Sequence, residues 1–389
     1  MKSRTILLHL LLLPVVVIVI GCNPLTPAVQ DPSRKEPAVG TPGNQRPPHQ
    51  DIALNDLVEG HKAIGYVPYY RSSIPDGSTV THINYAFAEL YVRDGKYQGF
   101  KVQGKESRFV SIAGLKTVHP DLKILLSFTH GVSNSDNVQG GGFSAMASSE
   151  EDRKLFAEDC LAFLQKWGID GIDIDWEFPG LSWSGAACDP KVDTDNYVLM
   201  MKQLRETLGE DYLLTYAGYC KDKQTVSGGY KYIDIEAVDP YVDWVNIMTY
   251  DMDAAPHPQS AINSPSAYVD CSRAVDAYLK AGVSPEKIVL GVPFYGRHAW
   301  SGDGAAISYR SIIELPYPPY KIDNWDSQGS VPYVTYNGTY YCSYENPKSI
   351  AAKGEWIKTK GIKGMMFWEY DEDDAYGTLR RSLWNAVMQ

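Results

Sequence analysis

The chain has 389 residues, of which 44% are hydrophobic and 21% are charged. This composition excludes a disordered or collagen-like chain, and six cysteines in this length exclude a disulfide-dense scaffold. Asp and Glu outnumber Lys and Arg by 47 to 36, so a partner rich in phosphate, such as nucleic acid, is not expected. The length predicts two or three domains, or one barrel domain of about 250 residues with additions.

The first 21 residues have the pattern of a secretion signal. Two basic residues precede an apolar run over residues 6–20, which is shorter than the roughly 20 residues of a membrane-spanning helix. The run ends in Val-Ile-Gly-Cys, which resembles the lipobox of bacterial lipoproteins, where the cysteine is acylated. We expect a lipoprotein signal at 1–21 and lipidation of Cys22, which would anchor the protein to a membrane of the cell envelope, on its periplasmic or surface face. The alternative is a soluble secretion signal with a chance cysteine.

Residues 22–60 are rich in Pro and poor in large apolar side chains. Such a segment buries too little surface to offset its ordering entropy, so it is predicted to be a tether. The folded body of the protein is expected over 61–389. Five cysteines remain after Cys22, and no Cys-x-x-Cys pair occurs, so a zinc or thioredoxin-type site is not expected. Because five is odd, at least one thiol is unpaired or bonded outside the chain.

Short β-branched or aromatic runs alternate with helix-patterned segments from residue 62 onward, which predicts a parallel sheet. Eight such runs favour an α/β fold of the closed (β/α)8 TIM-barrel type over an open sheet. The predicted strands are Ala63–Tyr69, Val80–Glu89, Leu122–Thr129, Gly171–Glu177, Leu213–Ala217, Val242–Asp251, Ile288–Tyr295 and Gly364–Tyr370. The predicted helices are Ser149–Trp167, Asp195–Leu208, Val269–Ala281, Pro347–Lys360 and Asp373–Val387.

Residues 298–346 interrupt this alternation with many Tyr and Pro. They are predicted to form a small α+β insertion between the seventh and eighth strands. Insertions at the carboxyl ends of barrel strands build walls on the active face, and long loops without function are uncommon.

The fourth predicted strand carries alternating acids. Side chains alternate between the two faces of a strand, so Asp173, Asp175 and Glu177 share one face, spaced ~6.6 Å apart. Repulsion among them should raise at least one pKa, as a general acid requires. A calcium loop does not fit, because large apolar residues separate the acids. We predict a catalytic acid row and no metal site.

With Asp170, these acids form a D-x-x-D-x-D-x-E motif that resembles glycoside hydrolase family 18, the chitinase family. The resemblance covers residues 62–389 and continues, in the family's order, through other segments. They are Gly65-Tyr66, Tyr85-Ala86-Phe87, Met248-Thr249-Tyr250-Asp251, Tyr295-Gly296-Arg297 and Phe367-Trp368-Glu369.

The resemblance implies a retaining hydrolase with no enzyme nucleophile and no cofactor, in which the substrate's N-acetyl carbonyl attacks the anomeric carbon. Glu177 would be the general acid and base, and Asp175 would hold the acetamido N–H. Asp173 would share a proton with Asp175, and Tyr250 would donate a hydrogen bond to the acetamido group.

The resemblance also implies a set of substrate-binding residues. Trp368 would form the floor under the distorted sugar, and Met248 and Asp251 would complete the acetamido pocket wall. Arg297 would contact substrate, although a structural ion pair explains it equally well. The remaining residues are Tyr66 and Ser127, which would support the middle acid of the row by hydrogen bonds, and Phe87 and Tyr295, which would line the minus-side subsites.

One segment departs from the family. Where members usually have Ser-x-Gly-Gly, often followed by Trp, this chain has Ser127-Phe128-Thr129-His130-Gly131. The plus-side aromatic platform is therefore not expected here. His130 is either a sugar contact or, more simply, a solvated loop side chain.

Hydrolysis of chitin or chitooligosaccharides is the leading hypothesis. The same chemistry on peptidoglycan or on the chitobiose core of N-glycans is the second. A non-catalytic chitin-binding lectin is the third, although such proteins usually lose one of the acids. A monomer is expected.

Overall fold

The computed structural model describes residues 60–130, 142–181, 187–220, 232–265 and 269–389. The predicted signal peptide, Cys22 and all but the last residue of the predicted tether lie outside the described residues. Within the described ranges, none of the helices combines the length and the apolar character that crossing a membrane requires.

Eight parallel strands form a closed barrel, because the last of them pairs with the first. The predicted fold class is therefore confirmed. The barrel strands are β1 (Lys62–Pro68), β2 (His82–Arg93), β4 (Lys123–Thr129), β5 (Gly171–Asp175), β6 (Leu213–Gly218), β7 (Trp244–Ile247), β8 (Ile288–Pro293) and β14 (Gly364–Trp368). A further strand, β3 (Lys96–Val102), pairs antiparallel with β2 and was not predicted.

The α-helices of the described residues are α1 (Glu106–Ala113), α2 (Phe143–Ser148), α3 (Glu150–Trp167), α4 (Asp193–Leu208), α5 (Ile235–Val238), α6 (Cys271–Lys280), α7 (Tyr309–Ile312), α8 (Pro347–Lys360) and α9 (Thr378–Met388).

Several barrel strands end earlier than predicted. Strand β5 ends at Asp175, where its pairing with β4 stops, and not at Glu177. Strand β7 ends at Ile247, and β14 ends at Trp368. In each case the apolar run in the sequence continues beyond the last residue that pairs with a neighbouring strand. Its final residues leave the barrel and form part of the rim at the carboxyl ends of the strands.

The alternation of faces along β5 is observed. Ile172 and Ile174 belong to the apolar layer between barrel and helices, which also contains Trp176. The Trp176 ring stacks on Phe143, with centroids 5.2 Å apart and planes inclined by 9°. The outward face of β5 is thus filled with apolar side chains, which leaves its acids facing the barrel interior.

Polar side chains at the starts of two helices accept hydrogen bonds from backbone N–H groups of the first turn. The Ser149 side chain accepts a hydrogen bond from the Asp152 backbone N–H and caps α3. The last helix begins at Thr378 and not at Asp373. The Asp373 carboxylate accepts from the Leu379 N–H, so the acidic run before α9 does serve its first turn.

The predicted insertion lies in a five-stranded antiparallel sheet that begins before residue 298, since its first strand is β9 (Tyr295–Arg297). The strands that follow are β10 (Ala306–Ser308), β11 (Tyr320–Asp326), β12 (Val331–Tyr336) and β13 (Thr339–Ser343). Helix α7 follows β10 directly. Cys342 of this sheet, like Cys160 and Cys271, is a buried thiol outside any disulfide, which confirms the prediction of an unpaired cysteine.

A buried ion pair joins helix α8 to the segment just before it, and its lysine also reaches the loop after β7. The Lys353 ammonium contacts the Glu345 carboxylate, and neither side chain is exposed to solvent. Lys353 also donates to Ser260 Oγ at 2.8 Å, and Ser260 Oγ donates to the carbonyl oxygen of Thr249 at 2.6 Å. Burial raises the pKa of Glu345, and the adjacent Lys353 opposes that rise.

We expect Lys353→Met to lower the free energy of unfolding by about 3–5 kcal/mol, because it leaves the Glu345 carboxyl buried without its cation. Urea unfolding followed by fluorescence measures the change. The double variant Lys353→Met/Glu345→Leu removes both charges and should recover part of the loss. Equal instability of the single and double variants would contradict this account of the pair.

Candidate active site

The acid row lies on β5 at the carboxyl end of the barrel. Asp173 is fully buried and Asp175 is 6% exposed, whereas Glu177, two residues beyond Asp175 and outside the strand, is partly buried. Burying carboxyl groups in one row requires shared protons or hydrogen bonds. The three acids meet this requirement differently.

Asp173 is held by four hydrogen bonds. Tyr66 Oη and Ser127 Oγ donate to Oδ2 at 2.9 and 2.7 Å. Thr215 Oγ1 and Asn246 Nδ2 donate to Oδ1 at 2.6 and 3.2 Å. Burial raises the pKa of Asp173, and these donors oppose the rise because they favour the carboxylate. The prediction that Tyr66 and Ser127 support the middle acid is therefore wrong: both hydroxyl groups donate to Asp173, the fully buried first acid of the row.

Asp175 is hydrogen-bonded through its side chain to Glu177. Burial raises the pKa of Asp175 well above its usual range, and the charges of Glu177 and Asp173 add to this. Burial likewise raises the pKa of Glu177 to about 7. Asp175 Oδ1 is buried and has no hydrogen-bond partner. The two buried carboxyl groups therefore share a proton.

Tyr250 lies just beyond β7, on the loop that Ser260 ties down through the Thr249 carbonyl. Its ring packs against Tyr295 with centroids 6.5 Å apart. Burial, Tyr295 and Asp175, in that order, raise the pKa of Tyr250 well above its usual value. The phenol is therefore a hydrogen-bond donor at neutral pH.

The floor of the site is aromatic. The Trp368 ring stacks with Phe87 at a centroid distance of 5.8 Å and contacts Tyr66 at the same distance. Next to it in sequence, Glu369 is 1% exposed and accepts from Arg71 Nε at 2.7 Å. The sequence did not predict this ion pair, which fixes the turn that follows Trp368.

Asp251 and Arg297 form a bidentate ion pair, with Nε to Oδ1 at 2.7 Å and Nη2 to Oδ2 at 2.6 Å. The Asp251 backbone adopts φ 51°, a region that non-glycine residues rarely occupy. The guanidinium also lies over the rings of Tyr295 and Trp300, 5.4 and 5.9 Å from their centroids. The structural ion pair weighed as an alternative for Arg297 is therefore present.

These elements surround a cleft of about 540 Å³. Eight of the predicted residues line it, namely Phe87, Asp175, Glu177, Met248, Tyr250, Asp251, Tyr295 and Trp368. The four other predicted residues, which do not line it, are Asp173, Tyr66, Ser127 and Arg297. The sequence interpretation missed Thr129, Phe178, Tyr219, Cys220, Met252 and Trp300, which also line the cleft. Trp300 is 61% exposed, and a tryptophan in the predicted wall insertion was the available signal for it.

Two further residues were missed behind the row. Thr215 and Asn246 contact Asp173, and both are polar residues at inward positions of otherwise apolar strands. Among the described residues, no group of three or more His, Cys, Asp or Glu side chains is arranged to hold a metal ion.

The sequence and the fold both point to one family. The sequence model of glycosyl hydrolases family 18 matches residues 62–373, and the chain belongs to that family. Chitinase A1 of Niallia circulans is 28% identical over 82% of this chain and 58% of its own length. Chitinase 63 of Streptomyces plicatus is 30% identical over 80% of this chain and 56% of its own length. The chain thus spans little more than half the length of these relatives.

Solved structures show the same likeness. A family 18 N-acetylglucosaminidase from Paenibacillus barengoltzii has a TM-score of 0.69 at 26% identity, covering 84% of this chain and all of that one. Chitinase ChiA74 from Bacillus thuringiensis has a TM-score of 0.70 at 25% identity, covering 85% of this chain and 70% of that one.

Proposed function

We propose that this protein hydrolyses β-1,4-linked N-acetylglucosamine chains, as in chitin and chitooligosaccharides. The observation that carries the proposal is the hydrogen-bonded Asp175–Glu177 pair in a cleft floored by Trp368. Membership of a family with chitinase relatives supports this substrate class. An apolar, aromatic floor suits the faces of a sugar ring, and the acids suit bond cleavage.

In the first step, Glu177 donates its proton to the glycosidic oxygen, and the bond from that oxygen to the anomeric carbon breaks. The acetamido carbonyl oxygen of the same sugar forms a bond to that carbon, which gives an oxazolinium ion. Asp175, which lines the cleft, accepts the acetamido N–H, and its negative charge stabilises the cation. Tyr250 donates to the acetamido group.

In the second step, the Glu177 carboxylate takes a proton from water, whose oxygen attacks the anomeric carbon. The bond to the acetamido oxygen breaks, and the product keeps its original configuration. Since the nucleophile belongs to the substrate, the usual spacing rule for two enzyme carboxylates does not apply.

We expect kcat/KM on a chromogenic chitobioside to fall above about pH 7. Glu177, whose pKa is raised to about 7, must be protonated to act as the acid, so the active fraction is lost as pH rises through that value. A rate profile from pH 4 to 9 measures the apparent pKa of the Asp175–Glu177 pair. A rate that stays constant to pH 9 would contradict this role for Glu177.

The substrate is tested by comparing products from colloidal chitin, muropeptide glycan strands and a glycoprotein. We expect oligosaccharides from chitin and none from the other two. Release only from glycan strands or from the glycoprotein would reassign the substrate and keep the chemistry. A time course of product lengths from chitohexaose separates internal from terminal cleavage. Tight binding of chitohexaose by the wild type without any product would favour the lectin.

We also propose that Cys22 is lipidated and anchors the enzyme to a bacterial envelope membrane. The lipobox-like residues 19–22 support this. Mass spectrometry of the mature N-terminus should find an acylated Cys22, and Cys22→Ala should release the protein from the membrane fraction. An unmodified N-terminus elsewhere would refute the anchor.

A further inference from the structure

The backbone that carries Glu177 lies beyond the barrel's strand ladder. Pairing of β5 with β4 ends at Thr129 and Asp175, and pairing with β6 ends at Ile174 and Tyr216. The Glu177 N–H therefore cannot be held by a neighbouring strand. It donates instead to Nδ1 of His130, at 3.2 Å.

His130 is well placed for this contact. It follows the last residue of β4, and its own backbone N–H donates to the Asp175 carbonyl oxygen at 3.3 Å. Backbone and ring of one residue thus hold both ends of the segment Asp175–Glu177. The ring is only partly exposed, which makes the predicted alternative of a solvated loop side chain wrong.

The contact specifies one form of the imidazole. Nδ1 accepts a hydrogen bond only when it carries no proton, so the ring must be neutral with its proton on Nε2. Burial lowers the pKa of His130, which favours this neutral form. With a proton on Nδ1, the ring would face the Asp175 carbonyl oxygen, 3.5 Å away, and the Glu177 N–H would lose its acceptor.

We propose that His130 is a positioning residue for the general acid, whose neutral Nδ1 holds the Glu177 backbone so that its carboxyl meets Asp175 and the substrate. The proposal rests on the proposed function. Glycine, which the family usually has at this position, offers no side-chain acceptor. The device would therefore distinguish this chain from members that keep both glycines.

A matched pair of substitutions isolates the acceptor. Asn and Leu have nearly the same shape, but only Asn places an oxygen where His has Nδ1. Left-handed backbone among the described non-glycine residues occurs at Asp94, Asp251, Ser330 and Asn337, so position 130 accepts either replacement without backbone strain.

We expect His130→Leu to lower kcat on chitohexaose roughly 10- to 100-fold, with KM changed less than about 3-fold, because a misplaced catalytic group costs rate. His130→Asn should restore most of the lost kcat. Equal kcat in the two variants, whether high or low, would overturn the proposal. A raised KM with unchanged kcat would make His130 a sugar contact and overturn it as well.

A second measurement is independent of activity. In ¹⁵N-histidine-labelled wild-type protein at neutral pH, the His130 signal, assigned by its loss in His130→Asn, should show an unprotonated Nδ1 and a protonated Nε2. A protonated Nδ1 would overturn the proposal even if the enzyme is active. If the wild type hydrolyses none of the substrates while Nδ1 is unprotonated, the proposed function fails and the contact stands.

Discussion

Glu177→Gln should lower kcat on a chitobioside or on chitohexaose by about 10³-fold, because the amide cannot transfer a proton to the leaving oxygen. The change keeps the shape of the side chain, so the cleft keeps its aromatic floor. Binding of chitohexaose, measured by titration calorimetry, should change only a few-fold. Loss of rate without loss of binding distinguishes a chemical role from a structural one.

The matched control is Glu206→Gln, the same chemical change on the exposed surface of α4. Oε1 of Glu206 lies 3.8 Å from Nζ of Lys202, and such a solvent-exposed ion pair contributes little to stability. Its kcat should equal that of the wild type. Unchanged turnover in Glu177→Gln would end the assignment of Glu177 as the acid.

Asp175→Asn should lower kcat by about 10²-fold, because the site loses the charge that opposes the cation of the oxazolinium ion. Its stability should not fall. Asp175 Oδ1 has no hydrogen-bond partner, and burial together with Glu177 already disfavours the ionised form. An amide removes that cost, so the free energy of unfolding should stay level or rise, as at sites where function opposes stability.

The free energy of unfolding of Asp175→Asn is compared with that of Asp173→Asn. Each Asp173 oxygen accepts two donors, and an amide nitrogen cannot accept either of the two it would face. Its free energy of unfolding should fall by roughly 1–3 kcal/mol, the cost of unmet buried groups. Equal loss of stability in Asp175→Asn and Asp173→Asn would show that Asp175 is also a structural anchor.

The barrel and the acid row could be predicted because both follow from periodicity. The two-residue alternation along β5 predicts one shared face for the acids and the opposite face for the apolar residues between them, as Ile172 and Ile174 show. The same rule was available for Thr215 and Asn246, which are inward polar residues, but their meeting with Asp173 depends on strand register. The residue pattern of one strand does not show which of its residues lie beside which residues of the neighbouring strands.

The rim was harder to predict because it is not periodic. Trp300 reaches the cleft through the path of the insertion, and Arg71 meets Glu369 from the far end of the chain. Strand ends were overestimated where apolar residues continue past the ladder, as after Ile247. His130 was assigned to solvent or sugar because a loop histidine has no local pattern that indicates a backbone partner.

The closure of the barrel has a consequence for how the enzyme is made. Strand β14 pairs with β1 on one side and β8 on the other, and it ends in Trp368. A ribosome therefore delivers the acids long before it delivers the strand that seals the ring and brings the Trp368 floor. Until then β1 and β8 have open edges that invite wrong pairing. Completion of the fold and onset of activity should therefore both wait for the synthesis of β14.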